Sequence, residues 1–174
     1  MKFPLFEAMT PQEAREYLRG FLETESVALE AQRAGAEQSG VSMDFTVASL
    51  PSILRWIMGK VRIMRVPVPA SEPDWIQEWH KSGLIDFDEE SKYWILRGAY
   101  YLGECFVRSY PSLRWGTGDP QYIEKNMPVV IGFRSGTEMA PMMIVENLFS
   151  RILGRNGSAT DIDRAVTAWV TDAA

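Results

Sequence analysis

The segment from Tyr93 to Tyr110 constrains the fold more than any other part of this chain. It is apolar on nearly every side, and a helix with that pattern is buried inside a protein core. The acidic stretch Asp86-Phe-Asp-Glu89 precedes it as a capping box in its Asp form, and Pro111 follows it as a stop signal. The sequence therefore predicts a long central helix with the rest of the chain packed around it.

A single carboxylate, Glu104, lies where this segment is most apolar. Burying a carboxylate without partners is costly, so the sequence predicts a cation or several hydrogen-bond donors beside it. Arg108 follows one helical turn later and can pair with it directly. We predict either a structural polar node or the floor of a ligand pocket, formed by Asp44, Arg97, Glu104 and Arg108, with Ser49 and Trp115 as further neighbours.

Capping and stop signals predict further helices on both sides of the central one. Thr10-Pro-Gln-Glu13 is a complete capping box, and the apolar spacing after it predicts a helix to about Gln38 that ends at Gly40. Ser49 is expected to cap a helix that continues to Met58. Three more helices are predicted at Glu72–Lys81 after a Ser71 cap, at Glu138–Leu153, and from Thr160 onward.

The best strand candidates are Leu113–Trp115 and Met127–Phe133, which are separated by the turn-forming sequence Gly116-Thr-Gly-Asp-Pro120. They predict one small antiparallel β element packed on the central helix. Val41–Thr46 is expected to be extended, and Gly59–Ala70 is expected to be a loop. The predicted fold class is therefore α+β and mostly α.

Composition and charge exclude several classes of protein. Residues 1–174 are expected to form one domain, since the weak joint at Val61–Ala70 is too short to separate two cores. The net charge of −5 argues against sequence-independent binding of nucleic acid, which needs a basic face.

Neither a signal peptide nor a run of about 18 apolar residues is present, so we expect no membrane span and a cytoplasmic protein. The one cysteine, Cys105, is expected to be a buried core residue in a reducing compartment.

No motif in the chain indicates catalysis. His80 is the only histidine, and a Ser-His-Asp site would need a serine and an acid to converge on it. The glycine patterns Gly116-x-Gly118 and Gly132-x-x-x-Gly136 lack the residues that complete a nucleotide-binding fingerprint. One histidine and one buried cysteine do not make a zinc site. We therefore predict no enzyme activity, no catalytic residues, no metal ligands and no cofactor.

An acidic segment between residues 72 and 90 is the best candidate for a partner-binding surface. Lys81 alone opposes its carboxylates, and two tryptophans lie among them. Some of these carboxylates lie at a helix start, which favours negative charge, so a solvated acidic helix pair is the simpler interpretation. Negative charge beside an aromatic anchor is also what a protein-binding surface uses. The candidate residues are Glu72, Asp74, Trp75, Glu78, Trp79, Asp86, Asp88 and Glu89.

Two short motifs resemble those of a group of small bacterial domains of unknown function. The first is Asp44-Phe-Thr-Val-Ala-Ser-Leu50, which is similar to a segment that opens a helix in that group. The second is Gly98-Ala-Tyr-Tyr-Leu-Gly-Glu104, followed by an aromatic residue on a short strand (Trp115) and by a Pro-Val-Val strand. The resemblance covers about residues 41–153. Some similar proteins are encoded beside polymorphic toxins and are taken to be their immunity proteins, and the group has no agreed catalytic residues.

These observations predict a cytoplasmic protein that binds another protein, most specifically an immunity protein that neutralises a cognate bacterial toxin by direct binding. A toxin with a basic cleft would attract the acidic segment and associate with it quickly. The alternative is a small ligand-binding domain or enzyme with a pocket around Glu104. The two hypotheses place the functional residues in different parts of the chain, and the structure can therefore be compared with each.

Overall fold

A computed structural model describes residues 4–79, 81, 83–154 and 156–173. The helices are α1 (Pro11–Gln38), α2 (Leu50–Met58), α3 (Asp74–Trp79), α4 (Glu89–Ser109), α5 (Pro141–Leu153) and α6 (Thr160–Ala173). The strands are β1 (Ile63–Val66), β2 (Leu84–Phe87), β3 (Arg114–Thr117) and β4 (Pro128–Ile131). The predicted fold class, α+β and mostly α, is confirmed. None of the described helices has the length and apolar character needed to cross a bilayer.

Helix α4 lies at the centre of the hydrophobic core, as its sequence predicts. It packs against α1, α2 and α5, and the side chains of Tyr101 and Phe106 are completely buried. Asp88 caps the helix, because its carboxylate accepts a hydrogen bond from the Ser91 N–H at 2.8 Å. The capping box predicted to begin at Asp86 is therefore placed two residues too early, since Asp86 belongs to strand β2.

The β3–β4 pair is antiparallel, as predicted, with Trp115 opposite Val130. Met139 extends this small sheet through two backbone hydrogen bonds to Val130, of 2.7 and 2.9 Å. Because Met139 takes part in this ladder, α5 begins at Pro141 and not at Glu138, where the sequence predicted its start. The sheet packs on α4 through both of its strands.

Strand β1 lies in the region Gly59–Ala70, where the sequence predicted a loop, and it pairs with β2. Ile63 is opposite Phe87 and Val66 is opposite Leu84 in an antiparallel register. Gly83, with a φ of 85°, turns the chain into β2. The loop prediction was wrong because each of these strands finds its hydrogen-bonding partner only in the other, and α3 separates the two in sequence. Helix α3 is itself shorter than the predicted helix.

Local sequence signals predict the cap of α1 correctly but not that of α2. Thr10 and Glu13 form the predicted capping box of α1, in which the Thr10 hydroxyl accepts from the Glu13 N–H at 3.3 Å and the Glu13 carboxylate accepts from the Thr10 N–H at 2.7 Å. Ser49 precedes α2, but its side chain does not cap the helix. Its hydroxyl instead donates to the Thr46 carbonyl at 2.8 Å and lies 2.7 Å from the Tyr101 hydroxyl. The Ser49 side chain, predicted to cap α2, therefore makes a tertiary contact with α4 instead.

Gln32 on α1 is an unfavourable polar residue in the core. Its side chain is 1% exposed, and neither amide atom has a hydrogen-bond partner among the residues that the structure describes. An unsatisfied buried polar group costs about 1–3 kcal/mol. We therefore expect Gln32→Met, which keeps the length of the side chain, to raise the free energy of unfolding by about 1 kcal/mol in urea denaturation.

The matched control for this prediction is Gln38→Met, at the exposed end of the same helix. This control should change the free energy of unfolding by less than about 0.5 kcal/mol. A loss of stability in Gln32→Met alone would show that the buried amide is satisfied in the native protein.

Candidate functional site

Glu104 lies at the junction of α4 and β3. Its side chain is 14% exposed. One carboxylate oxygen accepts a hydrogen bond from Arg108 Nε at 2.7 Å, and the other accepts one from Trp115 Nε1 at 3.2 Å. The structure thus pairs Glu104 with a cation one turn away and with an indole from the neighbouring strand. Both oxygens have partners from the chain itself.

Asp44 and Arg97, predicted at the same node, have other partners. Asp44 is exposed, and its carboxylate accepts hydrogen bonds from the Thr46 N–H at 2.9 Å and from the Thr46 hydroxyl at 2.8 Å. The backbone bond from Thr46 holds the pKa of Asp44 below its usual value. The Arg97 guanidinium lies over the Trp94 ring, 4.9 Å from its centre. Two helical turns, about 11 Å, separate Arg97 from Glu104, so position on one helix face did not bring them into contact.

Glu25, on α1, is the member of this node that the sequence analysis missed. It is 8% exposed, and one of its carboxylate oxygens has no hydrogen-bond partner among the described residues. Burial raises the pKa of Glu25 to about 8; the negative charge of Glu104 adds to the rise, and the Arg108 guanidinium opposes it. Glu25 is therefore mostly protonated at neutral pH. Its position four residues from both Phe21 and Leu29, on the buried face of α1, is the signal that could have identified it.

Arg108 also fixes the loop that leads into α2. Its guanidinium lies 4.0 Å from the centre of the Phe45 ring. Phe45 has a φ of 60°, and its N–H donates to the Tyr101 hydroxyl at 3.1 Å, so this loop, expected to be extended, turns there. A hollow of about 200 Å³ opens beside Arg108 and Phe45, and Glu104 is not among the residues that line it. The hollow therefore does not have Glu104 at its floor.

Glu25 keeps its proton at neutral pH because its pKa is raised to about 8. A general acid must lie within hydrogen-bond reach of a substrate atom. Burial raises the pKa of the neighbouring Cys105 thiol to about 12, which keeps that thiol protonated and unreactive. No group of three or more metal-binding side chains comes together in the part of the chain that the structure describes. The contacts of Glu104 and Glu25 are best explained as a structural connection between α1, α4 and β3.

The acidic residues between 72 and 90 divide into two groups, of which the first lies at the start of α4. Asp88 caps the helix, and the hydrogen bond from the Ser91 N–H lowers its pKa. Asp86 forms an ion pair with Lys92 at 3.3 Å. Glu89 lies in the first turn, where the helix dipole favours a carboxylate. The positions of these three carboxylates are explained without a partner protein.

The second group lies on α3. Asp74 and Glu78 are exposed and one helical turn apart, so they lie on the same side of the helix. Trp75 follows Asp74 and is 63% exposed. Glu78 forms a surface ion pair with Lys81 at 2.9 Å. We call Asp74, Trp75 and Glu78 the α3 face; it combines an exposed aromatic ring with exposed carboxylates.

The other predicted residues of this segment lie beside the α3 face in the chain. Glu72 is half-buried before α3, and its carbonyl accepts a hydrogen bond from the Gln77 side chain at 2.8 Å. Trp79 is the last residue of α3. His80 lies outside the described residues. The sequence grouped caps and exposed carboxylates together, because the role of a carboxylate depends on neighbours that only the fold defines.

Comparisons of the chain with protein-family models, with curated proteins and with solved structures gave no match. Its function is therefore argued from its own surfaces. The α3 face and the node around Glu104 are the two sites that the sequence analysis proposed. They differ in accessibility, since the α3 face is exposed and Glu104 is largely covered.

Proposed function

We propose that this protein acts in the cytoplasm by binding another protein, as an immunity protein that neutralises a cognate bacterial toxin. The observation that carries the proposal is the α3 face, where Trp75 is 63% exposed beside the carboxylates of Asp74 and Glu78. Tryptophan is the residue type most enriched at binding hot spots, because it buries a large apolar area against a partner. A surface of this kind is suited to docking on a protein with a basic cleft.

The location of α3 supports the same function. It lies between the paired strands β1 and β2, and none of its described side chains belongs to the hydrophobic core. A helix held at both ends by a strand pair is accessible to a partner without disturbing the core. The carboxylates would steer association with a positively charged toxin, and Trp75 would then slow dissociation.

The alternative, a ligand pocket around Glu104, has less support. Both oxygens of Glu104 are already bonded to Arg108 and Trp115, so a ligand would have to displace internal partners. Two of the four residues predicted for that pocket also have other partners: Asp44 accepts a hydrogen bond from Thr46, and Arg97 lies over the Trp94 ring. The resemblance to domains encoded beside polymorphic toxins adds to the case for a protein partner.

Substitution of Trp75 should weaken binding to the toxin more than any other single change in α3. We expect Trp75→Ala to raise the Kd for the product of the adjacent toxin gene by about 30-fold or more, the effect of removing a hot-spot tryptophan. Asp74→Asn combined with Glu78→Gln should lower mainly the association rate, and the effect should shrink as salt is added. Isothermal titration calorimetry and stopped-flow fluorescence measure the two quantities.

The matched control is Tyr122→Ala, which removes another exposed aromatic ring outside α3. It should leave the Kd unchanged. Equal effects of Trp75→Ala and Tyr122→Ala on the Kd would show that the α3 face is not part of the interface. Failure of the wild-type protein to bind any protein encoded beside its gene would contradict the proposed function itself.

A further inference from the structure

A groove of about 510 Å³ lies between α1 and α4, and neither Glu104 nor the α3 face belongs to its lining. Its α1 wall consists largely of Val27, Ala28 and Ala31, and Leu96 and Tyr93 form much of its α4 wall. The two alanines leave space that larger residues on a helix pair would fill. Val27 is 69% exposed and Tyr93 is 54% exposed, so the rim of the groove is also apolar.

The hydroxyl groups of Tyr100 and Thr24 lie at the floor of the groove. Tyr100 is 2% exposed, and its hydroxyl lies 2.9 Å from the Thr24 hydroxyl. Thr24 Oγ1 is also within hydrogen-bond distance of two carbonyls on its own helix. These hydroxyls therefore have partners already, and the space above them is suited to an apolar body.

Among the described residues, Arg97 is the one cation that lines this groove. Its guanidinium is half-buried and lies 4.9 Å from the centre of the Trp94 ring, which limits its orientations. No carboxylate among the described residues pairs with it, whereas Arg108 on the same helix is paired with Glu104. A half-buried guanidinium without an anion binds a carboxylate through two parallel hydrogen bonds more strongly than a fully hydrated one.

We propose that this groove binds a small amphipathic organic anion, whose apolar chain or ring lies along α1 and whose single carboxylate pairs with Arg97. The volume falls within the range of about 300–1,000 Å³ that is typical of small-molecule sites, and the lining is mainly apolar with a few polar groups, among which Arg97 is the cation. Glu23 also lines the groove, from α1. Its carboxylate repels a second negative group, so the ligand is a monocarboxylate.

Decanoate is the probe for the first test, used below the concentration at which it forms micelles. Isothermal titration calorimetry should give saturable binding at one site, with decanoate binding more tightly than decan-1-ol and decylammonium. Arg97→Gln should weaken decanoate binding about tenfold or more, since it removes a charge-assisted hydrogen-bonded pair. The same variant should leave decan-1-ol binding unchanged. Arg114→Gln, an exposed substitution on β3, is the matched control and should bind decanoate like the wild type.

A second variant tests the location without changing charge. Ala31 is exposed and lines the groove, so Ala31→Trp should fill the space without disturbing the core. We expect it to abolish binding of both decanoate and decan-1-ol, with an unchanged far-ultraviolet circular dichroism spectrum. Trp75→Ala should keep full decanoate binding, which separates this site from the proposed protein interface.

Three results would overturn the proposal. The first is equal affinity of the wild type for decanoate and decylammonium, which would show that Arg97 does not select an anion. The second is retention of decanoate binding by Ala31→Trp. The third is a dimer in analytical ultracentrifugation that Ala31→Trp dissociates while decanoate gives no heat of binding, because a second copy of the chain would then occupy the groove.

Discussion

Replacement of Gly103 by alanine is expected to destabilise the protein by about 3 kcal/mol or more, the upper end of the cost of overpacking a core. A Cβ atom at this position on α4 would lie 2.1 Å from Cζ2 and 2.2 Å from Cη2 of Trp115. These atoms belong to a rigid ring and not to the end of a flexible side chain. Either the indole or the helix must therefore move.

Movement of the Trp115 ring would break contacts that stabilise the fold. The indole N–H donates to Glu104, and the ring packs against Phe21 of α1 at a centroid distance of 5.5 Å and an interplanar angle of 67°. Displacing the ring breaks both contacts and leaves one oxygen of Glu104 without its donor beside Glu25. Urea denaturation followed by far-ultraviolet circular dichroism measures the loss as a change in the free energy of unfolding.

Gly20→Ala, in the interior of α1, is the matched control. A Cβ atom at Gly20 would meet nothing within 4 Å, so this substitution should stabilise the helix by up to about 1 kcal/mol. A double-mutant cycle of Gly103→Ala with Trp115→Leu should show strong coupling, since the alanine costs less when the indole is absent. Equal and small changes in the free energy of unfolding for the two glycine substitutions would mean that the Trp115 ring does not lie close enough to Gly103 to exclude a Cβ atom.

The sequence predicted those parts of the fold that depend on local signals. Thr10 and Glu13 form their capping box from neighbouring residues alone, and the apolar segment ending at Pro111 can only be a buried helix. The pairing of Glu104 with Arg108 followed from one helical turn of separation. By contrast, nothing local indicated that Gly103 makes room for Trp115, because that contact joins two elements.

Long-range pairing explains most of the wrong or missing predictions. Strand β1 is stabilised by β2, which follows in the chain only after α3, so its sequence alone resembled a loop. Arg97 was assigned to the Glu104 node because both lie on α4, yet it stacks on Trp94 instead. Glu25 was passed over because the apolar spacing of α1 was used only to predict the helix, and the polar residues that fall on the same face were not considered. The α3 face remains a prediction, since its role depends on a partner.

The contribution of Glu25 to the free energy of unfolding should fall as the pH rises from about 4.5 to about 8, and Glu25→Gln should remove this contribution. The pKa of Glu25 is raised from 4.5 to about 8, first by burial and then by the charge of Glu104. Below pH 4.5 the carboxyl is protonated in both the folded and the unfolded states, and its contribution to stability is fully present. Between the two pKa values only the folded state keeps the proton, so stability declines by up to about 1.4 kcal/mol per pH unit.

Above pH 8 the folded protein also loses this proton, and the contribution is gone. The carboxylates with lowered pKa values, Glu13, Asp44 and Asp88, act in the opposite direction. Their contribution is lost as the pH falls below the usual values of 4.5 for Glu13 and 3.8 for the two aspartates. The interval from pH 5 to pH 8 therefore lies above the range of these lowered groups. Burial also raises the pKa of Glu146, which acts in the same direction as Glu25, so only the comparison with a Glu25 variant separates the two. Any other residue that titrates there contributes equally to the wild type and to the variant, and it cancels in the difference between them.

Glu25→Gln imitates the protonated carboxyl with a neutral group of the same size. We expect the variant and the wild type to have similar free energies of unfolding near pH 5, and the variant to be more stable by pH 8.5, in urea denaturation at a series of pH values. Glu30→Gln, an exposed substitution on the same helix, is the matched control for the loss of one carboxylate. Parallel pH curves for the wild type and Glu25→Gln would show that Glu25 is ionised in the native protein. In that case Arg108, which opposes the rise in pKa, would have to neutralise both Glu25 and Glu104.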